Sequence, residues 1–209
     1  LEERKRTGRF KGELTCLRRD GQKFPGELTS VVFPDKDGRL RTIIIIRDIT
    51  EHRRAGEALF KANRALKTLS ACNEALVRAT DESELLQETC RIAVDVGGYR
   101  MAWVGFAQHD REKTVRPAAQ AGFEAGYLQT IKIAWDDTEH AEGPTGEAIR
   151  TGKTQIRPNI QAEPDCIRWR DDAMKRGYYS AIALPLSHDG NTFGALTVSY
   201  THLRAHETK

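Results

Sequence analysis

Asp48-Ile49-Thr50-Glu51 ends three strand-like segments and opens a helix that the apolar spacing carries to about Thr80. Along it Leu59, Ala62, Leu66, Leu69, Asn73 and Leu76 alternate three and four residues apart. That heptad spacing is the period at which one helix buries a stripe against another. Thr50 or Asp48 suits the N-cap, because either side-chain oxygen accepts from a backbone N–H that the first turn leaves without a partner. Glu51 adds a negative charge where the helix dipole is positive.

Upstream, residues 9–18, 23–33 and 40–48 read as three consecutive antiparallel strands. Asp20-Gly21 between the first two favours a tight hairpin turn in which both central positions take positive φ. Pro34-Asp35-Lys36-Asp37-Gly38 separates the second from the third and is dense in turn formers. The first strand places Phe10, Leu14 and Cys16 on one face and mostly polar residues on the other. The third carries Ile43 and Ile45 one way and Ile44 and Ile46 the other, and a strand apolar on both faces is usually covered on both. Three strands need a further layer to be stable. The expectation is one cover from the helix after Thr50 and another from chain upstream of Leu1.

On the helix, Asn73 takes an a position if Leu59 is a, and a buried Asn there fixes register and oligomer state at some cost in stability. The flanking e and g positions are Ala58, Asn63, Ala65, Ser70, Cys72 and Val77, none of them charged. Such a wide, uncharged stripe suits a parallel homodimer merging into a small bundle. The alternative is a single amphipathic helix packed on its own domain.

Asp81-Glu82-Ser83-Glu84 reads as a second N-cap, followed by the amphipathic LLQETCRIAVDV and a C-cap at Gly97-Gly98. Strands are predicted at 101–108, 113–121, 129–135, 154–157, 179–187 and 192–199, with short helices at about 143–151 and 166–176. Asp189-Gly190 marks a last hairpin. Strands in runs with helices at the ends make the fold class α+β on one antiparallel sheet.

The 209 residues suggest one or two domains. No apolar run approaches the roughly 20 residues of a membrane span; the longest is Ile43 to Ile46. LEERKRTGRF lacks the apolar segment of a signal peptide, so no membrane is expected in this segment. Net charge is +3, with 14 Lys/Arg against 9 Asp/Glu in residues 1–56. Those charges are scattered over strand faces and turns, which argues for a solvated surface and no nucleic acid. Cys16, Cys72, Cys90 and Cys166 form no CxxC pair, so neither a zinc motif nor a disulfide framework is indicated, and a reducing cytoplasm follows.

GELTCLRRDGQKFPGELTSVVFPDKDGRLRTIIIIRDITEHRR resembles the C-terminal half of a PAS domain, its last three strands and the Asp-Ile-Thr signature. The resemblance implies that the other half supplies the helices and most of a ligand pocket, and that the Asp bonds back to the sheet and couples it to the helix start. GYRMAWVGFA, GPTGEAIRTGK, PNIQAEPDCIRWRDDAMKRGYYSAIALPL and DGNTFGALTV, in that order, resemble a GAF domain. That implies a six-stranded antiparallel sheet flanked by helices that often form a dimer bundle. The domains are then 1–50 (partial PAS), 51–80 (connecting helix) and 81–199 (GAF without its C-terminal helix). YTHLRAHETK, residues 200–209, resembles translated sequencing adapter and is expected to be non-native.

No constellation for catalysis is expected. His52, in Glu51-His52-Arg53-Arg54, lacks the His-Glu-x-x-x-Pro setting of a phospho-accepting histidine. Gly143-Pro144-Thr145-Gly146 lacks the Lys-Ser/Thr end of a P-loop, and no cyclase-type Gly-Gly-Asp/Glu-Glu-Phe loop occurs. Asp136-Asp137-Thr138-Glu139-His140 fits an exposed loop better than a metal site. GAF domains hold cyclic nucleotides, bilins, haem, small metabolites or nothing. Here Cys166 is followed by Ile167 where bilin attachment calls for Cys-His, the Asn-Lys-Phe-Asp-Glu motif is absent, and His109 and His140 fall at a strand end and in a polar loop. The cofactor is therefore unknown. Trp103, Phe106, Trp135, Cys166, Trp169 and Tyr178 are the pocket-lining candidates, although an aromatic at such positions is as readily core. Asp48, Ile49, Thr50, Glu51, Leu59, Leu66, Leu69, Asn73 and Leu76 are the signal-transmission candidates. The expected function is a sensory input segment relaying through a dimeric helix to an output outside this chain, a histidine kinase or a cyclic-dinucleotide enzyme. A scaffold that only dimerises, with an empty cavity, is the alternative.

Overall fold

The computed structural model describes residues 7–123, 126, 128, 133–136, 143–162 and 167–201, with the side chains of 167–169 excepted. In chain order they form β1 (Arg9–Leu17), β2 (Lys23–Pro34), β3 (Leu40–Asp48), α1 (Thr50–Arg78), α2 (Glu82–Asp95), β4 (Met101–Ala107), β5 (Val115–Gly122), α3 (Pro144–Thr151), β6 (Gln155–Arg157), α4 (Ile167–Lys175), β7 (Ser180–His188) and β8 (Asn191–Tyr200). They divide into two compact units, 1–63 and 64–209. No helix among the described residues is long and apolar enough to cross a membrane.

The first unit is a three-stranded antiparallel sheet in the order β1-β2-β3. The β1–β2 connection differs from the expected tight turn. Gly21 alone takes positive φ, at 82°, its N–H donates to the Arg18 carbonyl, and Leu17 pairs with Lys23. Asp20 Oδ1 accepts from Gln22 N at 2.9 Å, so its side chain caps the loop while its own φ stays negative. Asp35 does the same for the second turn, accepting from Asp37 N and Arg39 N, with Gly38 at φ 77°.

The expected covering of β3 by the helix is not found. Ile43 and Ile45 on one face and Ile44 and Ile46 on the other are all more than half exposed, Ile45 at 62%. The reason is local: α1 starts one residue after β3 ends, and among the described residues its bonds to the sheet come from its first turn. On the sheet a hollow of about 400 Å³ is lined by Phe10, Thr29, Ser30 and Val31 with Thr7, Arg9 and Lys11. Ser30 Oγ is buried there without a hydrogen-bond partner among the described residues.

The second unit is built on a five-stranded antiparallel sheet, β5-β4-β8-β7-β6. The sixth expected strand, 129–135, falls partly outside the described residues. Its end is seen as a bridge between Ala134 and Thr114, with Val115 N donating to the Ile133 carbonyl and Trp135 N to that of Lys113. α2 lays Cys90, Ile92 and Ala93 inward, and Cys90 and Ala93 meet Ala102, Val104, Ala119 and Val198 on one sheet face. The other face buries Met101, Trp103, Ala181, Ala183 and Ala195 against Ala148 and Ile149 of α3, Ile160, Ala173 of α4, and Tyr178. Small residues on the strands let these helices sit close, and packing at that density stabilises by roughly 1.5–3 kcal/mol per large side chain buried.

The punctuation follows the chemistry. Asp81 caps α2 by accepting from Glu84 N at 2.9 Å, while Val96 is its C-cap residue and Gly98, at φ 69°, follows. Asp189 and Gly190 both take positive φ between His188 and its register partner Asn191, the geometry of a two-residue hairpin loop. Gly122 takes φ 90° where β5 ends, and a Cβ there would lie 2.3 Å from the Arg100 carbonyl oxygen.

Candidate functional site

At the sheet-to-helix junction the N-cap alternatives resolve to Asp48. Its Oδ1 accepts from Thr50 N at 2.9 Å and from the Thr50 hydroxyl at 2.6 Å. Its Oδ2 accepts from the Arg18 guanidinium at the end of β1, and Arg18 also lies over the Phe24 ring at 4.6 Å. One carboxylate thus joins the first helical residue to the far strand of the sheet. The Thr50 hydroxyl and N–H, then Arg18, hold the Asp48 carboxyl below its ordinary range. Ile49 is buried; its N–H donates to the Pro25 carbonyl and its carbonyl accepts from Arg53 N. Arg53 donates in turn to Glu13 in β1. Glu51 and His52 stay exposed in the first turn.

Arg18, Glu13 and Arg53 were not singled out from the sequence. They stand 30 and 40 residues from their partners, and only the β1–β2–β3 register brings them together. An arginine just past a strand end is too common a sight to have marked it.

The remainder of α1 carries two distinct faces. Leu59, Leu66, Leu69 and Leu76 are 59–71% exposed, and Ala62 and Asn73 are exposed with them. Thr68, Ala71, Cys72, Ala75 and Ala79 are half-buried, as is Arg64. Ala71, Ala75 and Ala79 line a groove of about 390 Å³ with Ile92 and Val96 of the second unit. The Thr68 hydroxyl donates to the Arg64 carbonyl. At 100° per residue the leucine face and the small-residue face lie about 140° apart. The half-buried Thr68, Ala71, Ala75 and Ala79 thus set one face of α1 apart from the exposed leucines of the heptad seam.

The pocket candidates divide. Trp103 and Tyr178 are buried together, 3% and 1% exposed, and Trp135 packs at the margin of their cluster. The Tyr178 hydroxyl donates to the Phe123 carbonyl with Met101 Sδ 3.0 Å away. Phe106 lies in the other cluster, across the sheet, beside Phe193. Cys166 and the Trp169 side chain lie outside the described residues. Trp135 donates from Nε1 to the Gln108 carbonyl at 2.9 Å, receives the Lys113 ammonium 4.2 Å over its ring, and meets His109 edge-on.

Gly143-Pro144-Thr145-Gly146 is the start of α3, with Pro144 in its first turn. The Thr145 hydroxyl is buried and bonded to that of Thr197 at 2.8 Å, so it faces the sheet, not an anion. Cys90 is fully buried, and burial pushes its thiol up to about 11, which keeps it a protonated core residue. Among the described residues no three His, Cys, Asp or Glu side chains are grouped to hold a metal ion; residues 137–140 of the acidic stretch lie outside them.

A GAF domain model matches residues 79–207 and a PAS domain model matches residues 1–51. No curated protein matches the chain. Among solved structures the chain is similar to the nlh2 GAF domain of A. aeolicus in an inactive state, at 19% identity over 66% of this chain and 82% of that one, with a TM-score of 0.52. It is similar to free methionine-R-sulfoxide reductase from Neisseria meningitidis, at 20% identity over 68% and 75% with a TM-score of 0.52. A third likeness is to the GAF domain of a phosphoenolpyruvate-protein phosphotransferase from Coxiella burnetii, at 11% identity over 66% and 80% with a TM-score of 0.53. At these identities the likeness is one of fold.

Proposed function

The chain belongs to the GAF domain family and carries a PAS segment ahead of it, which makes it a sensory signalling module, and we propose that it relays a small-ligand or redox signal along α1 to an output domain outside this chain. The observation that supports the relay is Asp48, which is bonded at once to the first helical residue and, through Arg18, to the end of β1. A shift of the sheet then re-aims the helix start, and α1 presents its seam to a second copy of the chain differently in the two states. The output most in keeping with a PAS–GAF order is a histidine kinase, with a cyclic-dinucleotide enzyme second.

No catalysis is assigned to the chain. The reductase named above shares the fold, but fold does not carry activity, and the buried, protonated Cys90 is no nucleophile. Inserting one or two residues between Leu59 and Leu69 rotates the seam by about 100–200° relative to the junction. The expected result, measured in the full-length parent protein, is a locked or inverted output. Unchanged signalling in that insertion mutant would remove α1 as the transmitter.

A second reading, a dimerising scaffold without a ligand, draws on the burial of Trp103 and Tyr178 in the core. Native mass spectrometry of the protein purified from cells separates the two, since a stoichiometric small molecule supports the sensor and its absence the scaffold.

A further inference from the structure

We infer that Arg53 is a second positioning residue of the sheet-to-helix junction: its ion pair with Glu13 opposes the Asp48–Arg18 pair from the other face of the sheet, and the balance between the two sets the direction in which α1 leaves. The inference rests on the relay proposed above and names what steers it.

The strand register separates the two pairs by face. Leu14, Gly26 and Asp48 stand directly opposite one another across β1, β2 and β3, and one residue away so do Glu13, Glu27 and Arg47. Successive residues of a strand point to opposite faces, so Asp48 shares a face with Leu14, Cys16, Ile44 and Ile46, and Glu13 shares the other with Lys11, Ile43 and Ile45. Side-chain contacts agree. A Cβ on Gly26 would meet Cys16 Sγ and Ile46 Cγ2, whereas Lys11 pairs with Glu27 at 3.1 Å on the Glu13 face. The junction thus reaches β1 by Glu13 on one face and the end of β1 by Arg18 on the other.

Between the two pairs lies a pivot. Ile49 is buried, its N–H donates at 3.0 Å to the Pro25 carbonyl in the central strand, and its carbonyl accepts from Arg53 N at 2.9 Å. With Ile49 fixed to the sheet, lengthening either ion pair turns the helix about that residue and does not slide it. Glu13 has its own need of Arg53. It stands directly opposite Glu27, and like charges so placed repel; Lys11 meets Glu27 and Arg53 meets Glu13. The Glu13 carboxylate also brings negative charge to the positive end of the α1 dipole. Both junction pairs are partly exposed, and ion pairs of that kind are weak enough for a change in the sheet to tip.

Pulsed electron–electron distance measurement on the whole chain tests the balance. Spin labels on ketone-bearing residues, which leave the native cysteines alone, are placed at Lys61 with either Ile44 on one face or Ile45 on the other; all three positions are exposed. Residue 61 lies about 18 Å along the axis from Ile49, so a tilt of about 10° moves it by about 3 Å. Arg53→Gln should lengthen the 45–61 distance and shorten the 44–61 distance by about 2–3 Å, and Arg18→Gln should do the reverse. Shifts of the same sign in the two variants, or no shift in Arg53→Gln, would overturn the inference. Arg53→Lys should bring the distances back toward those of the unsubstituted chain. Glu13→Gln separates steering from stability: it removes the repulsion with Glu27 and should leave amide protection in β1 undiminished, where Arg53→Gln lowers it, yet it should tilt α1 as Arg53→Gln does. A tilt that tracked β1 protection instead of the ion pair would overturn the inference as well. The relay itself is decided separately by the insertion between Leu59 and Leu69, which leaves both ion pairs in place.

Discussion

Removing one hydroxyl of the Thr145–Thr197 pair should cost more than removing both. The two hydroxyls are 2.8 Å apart and each residue is 4% exposed, joining the first turn of α3 to β8 in the middle of the sheet. Thr197→Val keeps the shape, loses one hydrogen bond and strands the Thr145 hydroxyl away from water. A buried group left in that state costs about 1–3 kcal/mol, and Thr145→Val should cost a similar amount from the other side. The double variant strands nothing and should fall within about 1 kcal/mol of the parent. The interaction energy of the cycle is then at least about 1 kcal/mol and opposite in sign to simple additivity. Urea titration followed by tryptophan fluorescence is the assay, because Trp103, Trp135 and Trp169 all belong to the second unit and report its unfolding alone. Additive single losses, or an interaction energy below about 0.5 kcal/mol, would show that the pair is not the closed polar contact described.

Gly122→Ala should lose about 2 kcal/mol or more in the same titration, because φ is 90° and the new Cβ meets the Arg100 carbonyl at 2.3 Å. Gly190→Ala, at φ 79° with open space around it, should lose only about 1 kcal/mol; equal losses would remove the steric reading of Gly122. Asp48 titrates below its ordinary range when folded, so its contribution is present above that range and is lost as pH falls through the folded value. Amide exchange at Thr50 should therefore accelerate with acid beyond its intrinsic dependence, and Asp48→Asn should abolish that dependence. Cys90, raised by burial from 9.0 to about 11, should alkylate more slowly than Cys72. At pH 8 its thiolate population is about a hundredfold below that of an ordinary thiol. Because this folded-state value is raised for an acid, stability should fall as pH rises from about 9 to about 11. Labelling resolved by mass spectrometry checks the order.

The strands and helices were legible where period and punctuation agreed. Asp81, Asp189 and Gly190 carry their turn chemistry in the residue type, and β1 to β3 keep their sequence bounds to within a residue. Ile43 to Ile46 misled, because alternation reports that a strand is apolar on both faces and cannot report what stands opposite. The hairpin at Asp20 was misread because a side-chain bond from Asp20 to Gln22 competes with the backbone geometry that Asp-Gly favours in isolation. At the junction, Asp48 was visible as a capping residue, whereas Arg18, Glu13 and Arg53 depend on strand register, which one sequence does not expose. Likewise the heptad showed where α1 is apolar but not that its alanines and Thr68 form a second, half-buried face. Among the pocket candidates, Trp103 and Phe106 are three residues apart on one strand and so were bound to point to opposite sides.

The open isoleucine strand also bears on how this protein behaves at high concentration. β3 has one neighbour among the described strands and carries four consecutive exposed β-branched side chains, the pattern from which sheets grow between molecules. What restrains such growth is charge, since Arg41 and Arg47 bracket the run and Arg39 stands just before the strand. That restraint reaches about 10 Å at 0.1 M salt and about 3 Å at 1 M. The protein should accordingly stay dispersed in dilute buffer and self-associate as salt is raised, with the gatekeeping arginines, not the thermodynamic stability of either unit, setting the limit.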